Sequence, residues 1–385
     1  MSATQLASHM PANSENLQLI ARLTPLADVL GAIDSTVQTV PPRAMDLQAA
    51  VGRVLSSPAV APSRPASPLA LIDGWALNAD ATLDAGTYAP ALLPEIPERV
   101  EVGQPMPGGA DSVAPLDVVV VKGDRAEALG TVGFGDGVIA FGADCDSSAP
   151  LRRAGTRLRI TDAAVLAAAG LARVTAREPR FRIVPVRGTT IITAAARMIA
   201  DDLERHGGTA RLENAGADLD MIFGADSSDA LAVIGGTGSG RNDSSVQALA
   251  HAGKVAFHGL ALNPGETTAL GFIGSRPVLL LPGRLDAALA GWLVIGHRIL
   301  AKLSGALQEE ATTSFALARK VTSTVGIAEF VPVRRNGGQI EPLAAKYLPF
   351  SALARADGWI LVPAESEGFA AGTTVPVHPW PGSAP

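Results

Sequence analysis

Leu231-Ala232-Val233-Ile234-Gly235-Gly236-Thr237-Gly238-Ser239-Gly240-Arg241-Asn242-Asp243-Ser244 is a continuous apolar run that delivers a glycine-rich turn to the start of a helix. An apolar run of this kind reads as a strand buried on both faces, as in parallel sheets covered by helices. Backbone N–H groups in the turn, with a helix N-terminus behind them, suit a phosphate or another oxyanion. A plain glycine turn capped by Asn242 or Asp243 is the alternative. The glycines fall as G-x-G-x-G rather than G-x-G-x-x-G, so a dinucleotide fold is disfavoured, and no G-K-[ST] follows, which excludes a P-loop.

Outward from this stretch, strand and helix alternate. Phe181 to Val186 reads as a strand, Ala194 to His206 as a helix stopped by Gly207-Gly208, and Thr209 to Glu213 as a strand. The alternation predicts an α/β domain over 180–304 with a mainly parallel sheet, whose ligands sit beyond the carboxyl ends of the strands. Two more loops follow apolar runs there, Asn263-Pro264-Gly265-Glu266 and Pro282-Gly283-Arg284-Leu285-Asp286. Each is a turn or part of the same crevice, and Asp286 is expected to cap a helix from Ala287 to Leu303.

The flanks differ. Residues 1–17 are expected to be disordered. Residues 18–179 hold a helix at Pro25 to Val37, a short helix at 45–55, a proline strip from Pro58 to Pro68, a small β domain at about 85–150, and a helix from Thr161, as N-cap, to Gly170. Residues 305–385 revert to short strands with turns at Asn336-Gly337-Gly338 and Asp357-Gly358, a C-terminal β domain. The fold class expected is thus a multidomain α/β and β protein.

With 31 basic and 37 acidic residues the net charge is −6, so no global positive field collects nucleic acid or an anionic membrane. The longest apolar stretch, Ala287 to Ile295, is too short to span a bilayer. The single cysteine, Cys145, forms no internal disulfide, and the start of the chain carries neither a basic leader nor an apolar core of a signal peptide; a cytoplasmic protein is expected. His258 reads as a strand-end histidine with a satisfied hydrogen bond rather than a general base. In the N-terminal half, Asp73-Gly74 lies inside an apolar run, as either a tight turn or a carboxylate presented by a rigid loop.

Taken in order, six segments resemble the MoeA and gephyrin E-domain family of molybdopterin molybdotransferases. Ala50 to Leu55 resembles "A-x-G-R-V-L", Ala70 to Ala76 "S-x-M-D-G-Y-A", and Gly103 to Asp111 "G-x-P-x-P-x-G-A-D". Gly235 to Asp243 resembles "G-G-x-S-x-G-x-x-D", Val255 to Gly265 the stretch ending in "P-G-K-P", and Leu281-Pro282-Gly283 the start of "L-P-G-N-P". The resemblance implies an elongated homodimer with a central molybdopterin-binding domain and a C-terminal β-barrel. It implies binding of adenylylated molybdopterin as a small-molecule ligand, with Mg2+ assisting release of AMP as molybdate enters the dithiolene. Other cofactor-biosynthesis proteins or a molybdoenzyme are implied as further partners.

By that match Gly235, Gly236, Thr237, Gly238, Ser239, Gly240, Pro264, Gly265, Pro282, Gly283 and Arg284 would hold the pterin. Asp73 and Asp243 would be the catalytic, metal-binding carboxylates, since carboxylates in an anion pocket call for a divalent cation between them and the ligand.

Several positions depart from the pattern. "T-G-D-E-L" is here Arg187-Gly188-Thr189-Thr190-Ile191, "P-G-K-P" is Pro264-Gly265-Glu266-Thr267, and "L-P-G-N-P" is Leu281-Pro282-Gly283-Arg284-Leu285. A lysine replaced by Glu266 reverses a contact with an anion, worth roughly 3 kcal/mol for like charges about 6 Å apart at an effective dielectric of about 20; Arg284 is the candidate to restore the charge. An insertion enzyme with a reworked site, a non-catalytic binder, and a scaffold keeping only the fold are the three functional expectations.

Overall fold

The structure, a computed structural model, describes residues 18–224, 227–307 and 312–382. The disorder expected over 1–17 lies outside the described residues.

Six strands form the central sheet, in the spatial order Thr209–Leu212, Arg180–Pro185, Ala230–Ile234, Arg276–Leu281, Ala269–Ile273, Lys254–His258. The first four run parallel. The last two add an antiparallel edge, so the sheet is mixed, with its parallel part at the glycine turn. Alternation across the pleat divides the core: Ala232 and Ile234 pack with Leu279 and Leu281 on one face, whereas Leu231 and Val233 pack with Val278 and Leu280 on the other. Every residue of Ala230–Ile234 is buried, which is why the run carries no polar position.

The order of the parallel strands reverses beside Arg180–Pro185. Its first crossover, through helix Thr190–Arg205, leads to the strand on one side; the next leads to Ala230–Ile234 on the other. A crevice therefore opens beyond Pro185 and Ile234, where helices on opposite faces leave the sheet end uncovered.

Helix Thr190–Arg205 begins four residues before the expected Ala194, because Thr189 Oγ1 accepts the N–H of Ile192 at 3.4 Å and the buried Ile192, Ala195, Ala196 and Ile199 face the sheet. The helix expected from Ala287 starts at Leu285 and contains a π turn, Trp292–Gly296, before continuing as His297–Ser304. Asp286 is inside its first turn rather than at the cap, buried and bonded to Arg284 and to the N–H groups of Ala287 and Leu348. Thr161 is likewise not a cap: helix Ile160–Ala168 is capped at Arg159, whose N–H donates to Asp162 Oδ2 at 2.9 Å.

The N-terminal helix Leu26–Thr36 lies against His297–Ser304, where Arg298 grips Asp34 with bonds of 2.7 and 2.6 Å. After the central domain, strands Thr313–Leu317, Ala328–Asn336, Gln339–Pro342, Gly358–Val362 and Thr374–Pro379 close into a barrel, the ring being completed by pairing of Ala328–Asn336 with Gly358–Val362. The strands between Leu69 and Ala128 form small antiparallel sheets, among them one ordered Glu98–Val100, Gly74–Leu77, Ser112–Pro115. No described helix is long and apolar enough to cross a membrane.

Candidate ligand crevice at the glycine turn

Gly235 and Gly236 have φ of +101° and +75°, a left-handed path that folds the chain back as it leaves the strand. The turn is tied down from several sides. Gly235 N–H donates to Leu281 O at 2.8 Å, Ser245 Oγ donates to Gly235 O at 2.8 Å, and Ser245 N–H donates to Gly236 O at 3.1 Å. His258 Nε2 lies 3.0 Å from Thr237 O, a structural contact that answers the expectation of a satisfied strand-end histidine.

Gln18 completes the frame. Its Nε2 donates to Gly236 O and Gly238 O, both at 2.9 Å, and its Oε1 accepts Val246 N–H at 2.8 Å and Gln247 N–H at 3.1 Å. Those last two are first-turn donors of helix Ser245–Ala252, so the helix N-terminus is largely spent on Gln18 rather than free for an anion. The donors left are in the turn itself. No described residue accepts from the N–H groups of Gly236, Thr237, Gly238 or Ser239, although Gly236 and Thr237 are buried. Buried N–H groups without acceptors are rare, and a bound anion would satisfy these.

The three loops do meet. Thr267 Oγ1 is 3.0 Å from Thr237 Oγ1, and a Cβ on Gly283 would lie 3.7 Å from Gly235 Cα, which brings the Pro264-Gly265 and Pro282-Gly283 turns to the glycine turn. Arg284 is not a free cation there. Its Nε and Nη2 bond Asp286 at 3.1 and 2.6 Å; Asp286 first, and Glu266 as well, hold its proton more firmly than in an ordinary arginine. Glu266 Oε2 accepts the Gly265 N–H at 3.1 Å.

Asp243 does not cap the helix either; that position is Ser244. Its Oδ2 accepts Gly240 N–H at 3.2 Å, and its Oδ1 is ion-paired at 3.2 Å with Nη2 of Arg187, which also bonds Asn242 O. Arg187 stands on the loop after Pro185, across the crevice. Asp73 is exposed in another part of the chain, its Oδ1 accepting Val102 N–H at 2.8 Å. Among the described residues no hydrogen bond or ion pair joins Asp73 to the turn. Nor is there a group of three or more carboxylate, imidazole or thiol ligands that includes Asp73 or Asp243. Magnesium is commonly held by one or two carboxylates together with water and phosphate oxygens; at Asp243 such an ion would compete with Arg187 for the carboxylate.

Arg187 and Gln18 escaped the sequence reading as site residues. Arg187 carried one signal, its place directly after the first parallel strand. Gln18 carried none. Cys145 is buried beside Ala61 and Ala169 with its Sγ against Pro62 O at 3.3 Å, a packing role.

The model described as "MoeA N-terminal region (domain I and II)" matches residues 15–170, that described as "Probable molybdopterin binding domain" residues 189–302, and that described as "MoeA C-terminal region (domain IV)" residues 315–380. A protein provisionally assigned to molybdopterin biosynthesis in Methanocaldococcus jannaschii is 24% identical over 370 residues, covering 87% of this chain and 91% of that one. A molybdopterin biosynthesis MoeA protein from Pyrococcus horikoshii superposes with a TM-score of 0.79 at 22% identity, over 94% of this chain and all of the other. A molybdenum cofactor biosynthesis protein from Pyrococcus furiosus gives 0.55 at 21%, over 92% and 99%. At these identities the structural likeness speaks for the fold.

Proposed function

This chain belongs to the MoeA family of molybdenum cofactor biosynthesis proteins, and from that premise we propose that it holds molybdopterin by its phosphate on the glycine turn. The observation that carries the proposal is the run of N–H groups from Gly236 to Ser239 without acceptors among the described residues, at the sheet's switch point. Arg187, now paired with Asp243, is the cation beside them, and it would share its charge between Asp243 and the phosphate. Thr237, Pro264, Gly265, Pro282 and Gly283 shape the walls, and Arg284, tied to Asp286, braces one of them.

Two activities share this seat. Insertion of molybdate into the adenylylated pterin with Mg2+ would require Asp243 to exchange Arg187 for a metal and Asp73 to arrive from a second copy. Holding and passing on the pterin requires neither, and the Arg187–Asp243 ion pair supports this second activity. Wild-type protein is expected to bind molybdopterin equally well in Mg2+ and in chelator and to release no AMP from the adenylylated form. Arg187→Thr should weaken binding at least about tenfold, from loss of a charge-assisted contact of about 1.5–3 kcal/mol. Titration by pterin fluorescence and an AMP assay decide: Mg2+-dependent AMP release by wild type would establish insertion and reject the holding reading.

We also infer a homodimer working in the cytoplasm. Asp73 is exposed, as are Leu71 at 53% and Val102 at 62% beside it, apolar surface suited to a second copy. Light scattering is expected to give about twice the 39.3 kDa of one chain; a single-chain mass at micromolar concentration would refute the dimer.

A further inference from the structure

Helix Thr190–Arg205 begins beside the glycine turn, and three ligand-type side chains converge around its other end. Asp202 is 1% exposed. Its Oδ2 accepts Trp292 Nε1–H at 2.7 Å and lies 2.7 Å from His297 Nε2. Its Oδ1, also buried, accepts no hydrogen bond among the described residues. The His206 Nδ1 atom is 3.5 Å from that oxygen, and the same nitrogen donates its proton to the Asp202 carbonyl at 2.7 Å. The two imidazoles stand 4.6 Å apart, and one donor atom from each of the three residues lies within 4.8 Å of the others.

The backbone is shaped to bring them together. Residues five apart on an α-helix point about 140° away from each other. Trp292 and His297 are five apart, yet both reach the same carboxylate oxygen, because the π turn Trp292–Gly296 lets His297 N–H bond Trp292 O and stacks the two rings edge to face at 5.9 Å.

We propose that Asp202, His206 and His297 form a binding site for a late first-row divalent cation of the zinc class, separate from the ligand crevice. Two imidazole nitrogens and one carboxylate oxygen suit zinc, cobalt or nickel; magnesium prefers oxygen alone. Donors around a tetrahedral zinc ion lie about 3.4 Å apart for bonds of about 2.1 Å. His206 Nδ1 and Asp202 Oδ1 are already 3.5 Å apart; an ion takes the place of the Nδ1 proton as the ring turns from the Asp202 carbonyl toward Oδ1, and the 2.7 Å contact to His297 widens as the proton there is displaced too. Trp292 Nε1–H on Oδ2 holds the carboxylate from behind, as outer partners of metal ligands do. The His206 and His297 side chains are 24% and 16% exposed, which gives an ion a way in.

The test does not depend on the molybdopterin reading. Chelator-stripped protein is titrated with Zn2+, and with Co2+ as a visible-absorption reporter, and the bound metal is counted. The expected result is one ion per chain, a Co2+ band of mixed nitrogen and oxygen coordination, a higher melting temperature with Zn2+, and no response to Mg2+. His206→Asn and His297→Asn should each weaken binding at least tenfold and lose the band. His206 follows the last helical residue and is partly exposed, so its variant keeps the fold and decides the matter even if His297→Asn does not fold. Equal metal binding by wild type and His206→Asn, or no retention by wild type, overturns the proposal.

Discussion

Valine at Gly236 is expected to abolish ligand binding while the protein stays folded. The residue sits at φ +75°, where a β-branched side chain is strained, and a Cβ there would lie 2.3 Å from Ser245 Oγ. To make room, Ser245 must give up its bond to Gly235 O, and the turn loses the path followed by the N–H groups of Gly236 to Ser239. Two misdirected contacts to a charged phosphate, at about 1.5–3 kcal/mol each, correspond to a loss of affinity of at least about a hundredfold. Isothermal titration with molybdopterin measures it. A folded variant with wild-type affinity would remove the turn from the binding site.

Asp202→Ala is expected to cost at least about 3 kcal/mol of stability, since it removes two hydrogen bonds to one buried carboxylate at about 1.5–3 kcal/mol each. Burial pushes the Asp202 carboxyl up, but the hydrogen bond and charge of His297, the charge of His206 and the bond from Trp292 together hold it below the usual carboxylate range. Deletion leaves Trp292 Nε1, in the middle of the largest core cluster, without its acceptor. Denaturant titration in the presence of chelator isolates this loss from any contribution of bound metal. A change under about 1 kcal/mol would show the network to be incidental to folding.

The sheet was legible because its central strands are buried on both faces, which leaves an unbroken apolar run such as Leu231 to Ile234. Helix starts were not. Thr189-Thr190-Ile191-Ile192-Thr193 is β-branched throughout and has weak helix propensity, and only the packing of Ile192 and the alanines after it makes those residues helical. The antiparallel edge also stayed hidden, since periodicity reports burial and not strand direction. At the crevice, glycines announce themselves by composition, whereas Arg187 and Gln18 act through contacts that no local pattern encodes. Arg284 misled for the converse reason: its charge was visible in the sequence, but its partner two residues on, Asp286, was expected to cap a helix instead.

Gln18 donates twice and accepts twice, which uses the whole capacity of one side-chain amide on two stretches of backbone. It is 218 residues from Gly236. A fragment beginning at residue 180 would thus contain every glycine of the crevice and still lack the clasp that sets its shape. The same separation governs biosynthesis: the clasp leaves the ribosome before the turn it fastens, and the ligand seat cannot take shape until the 218 residues that follow the clasp have been made.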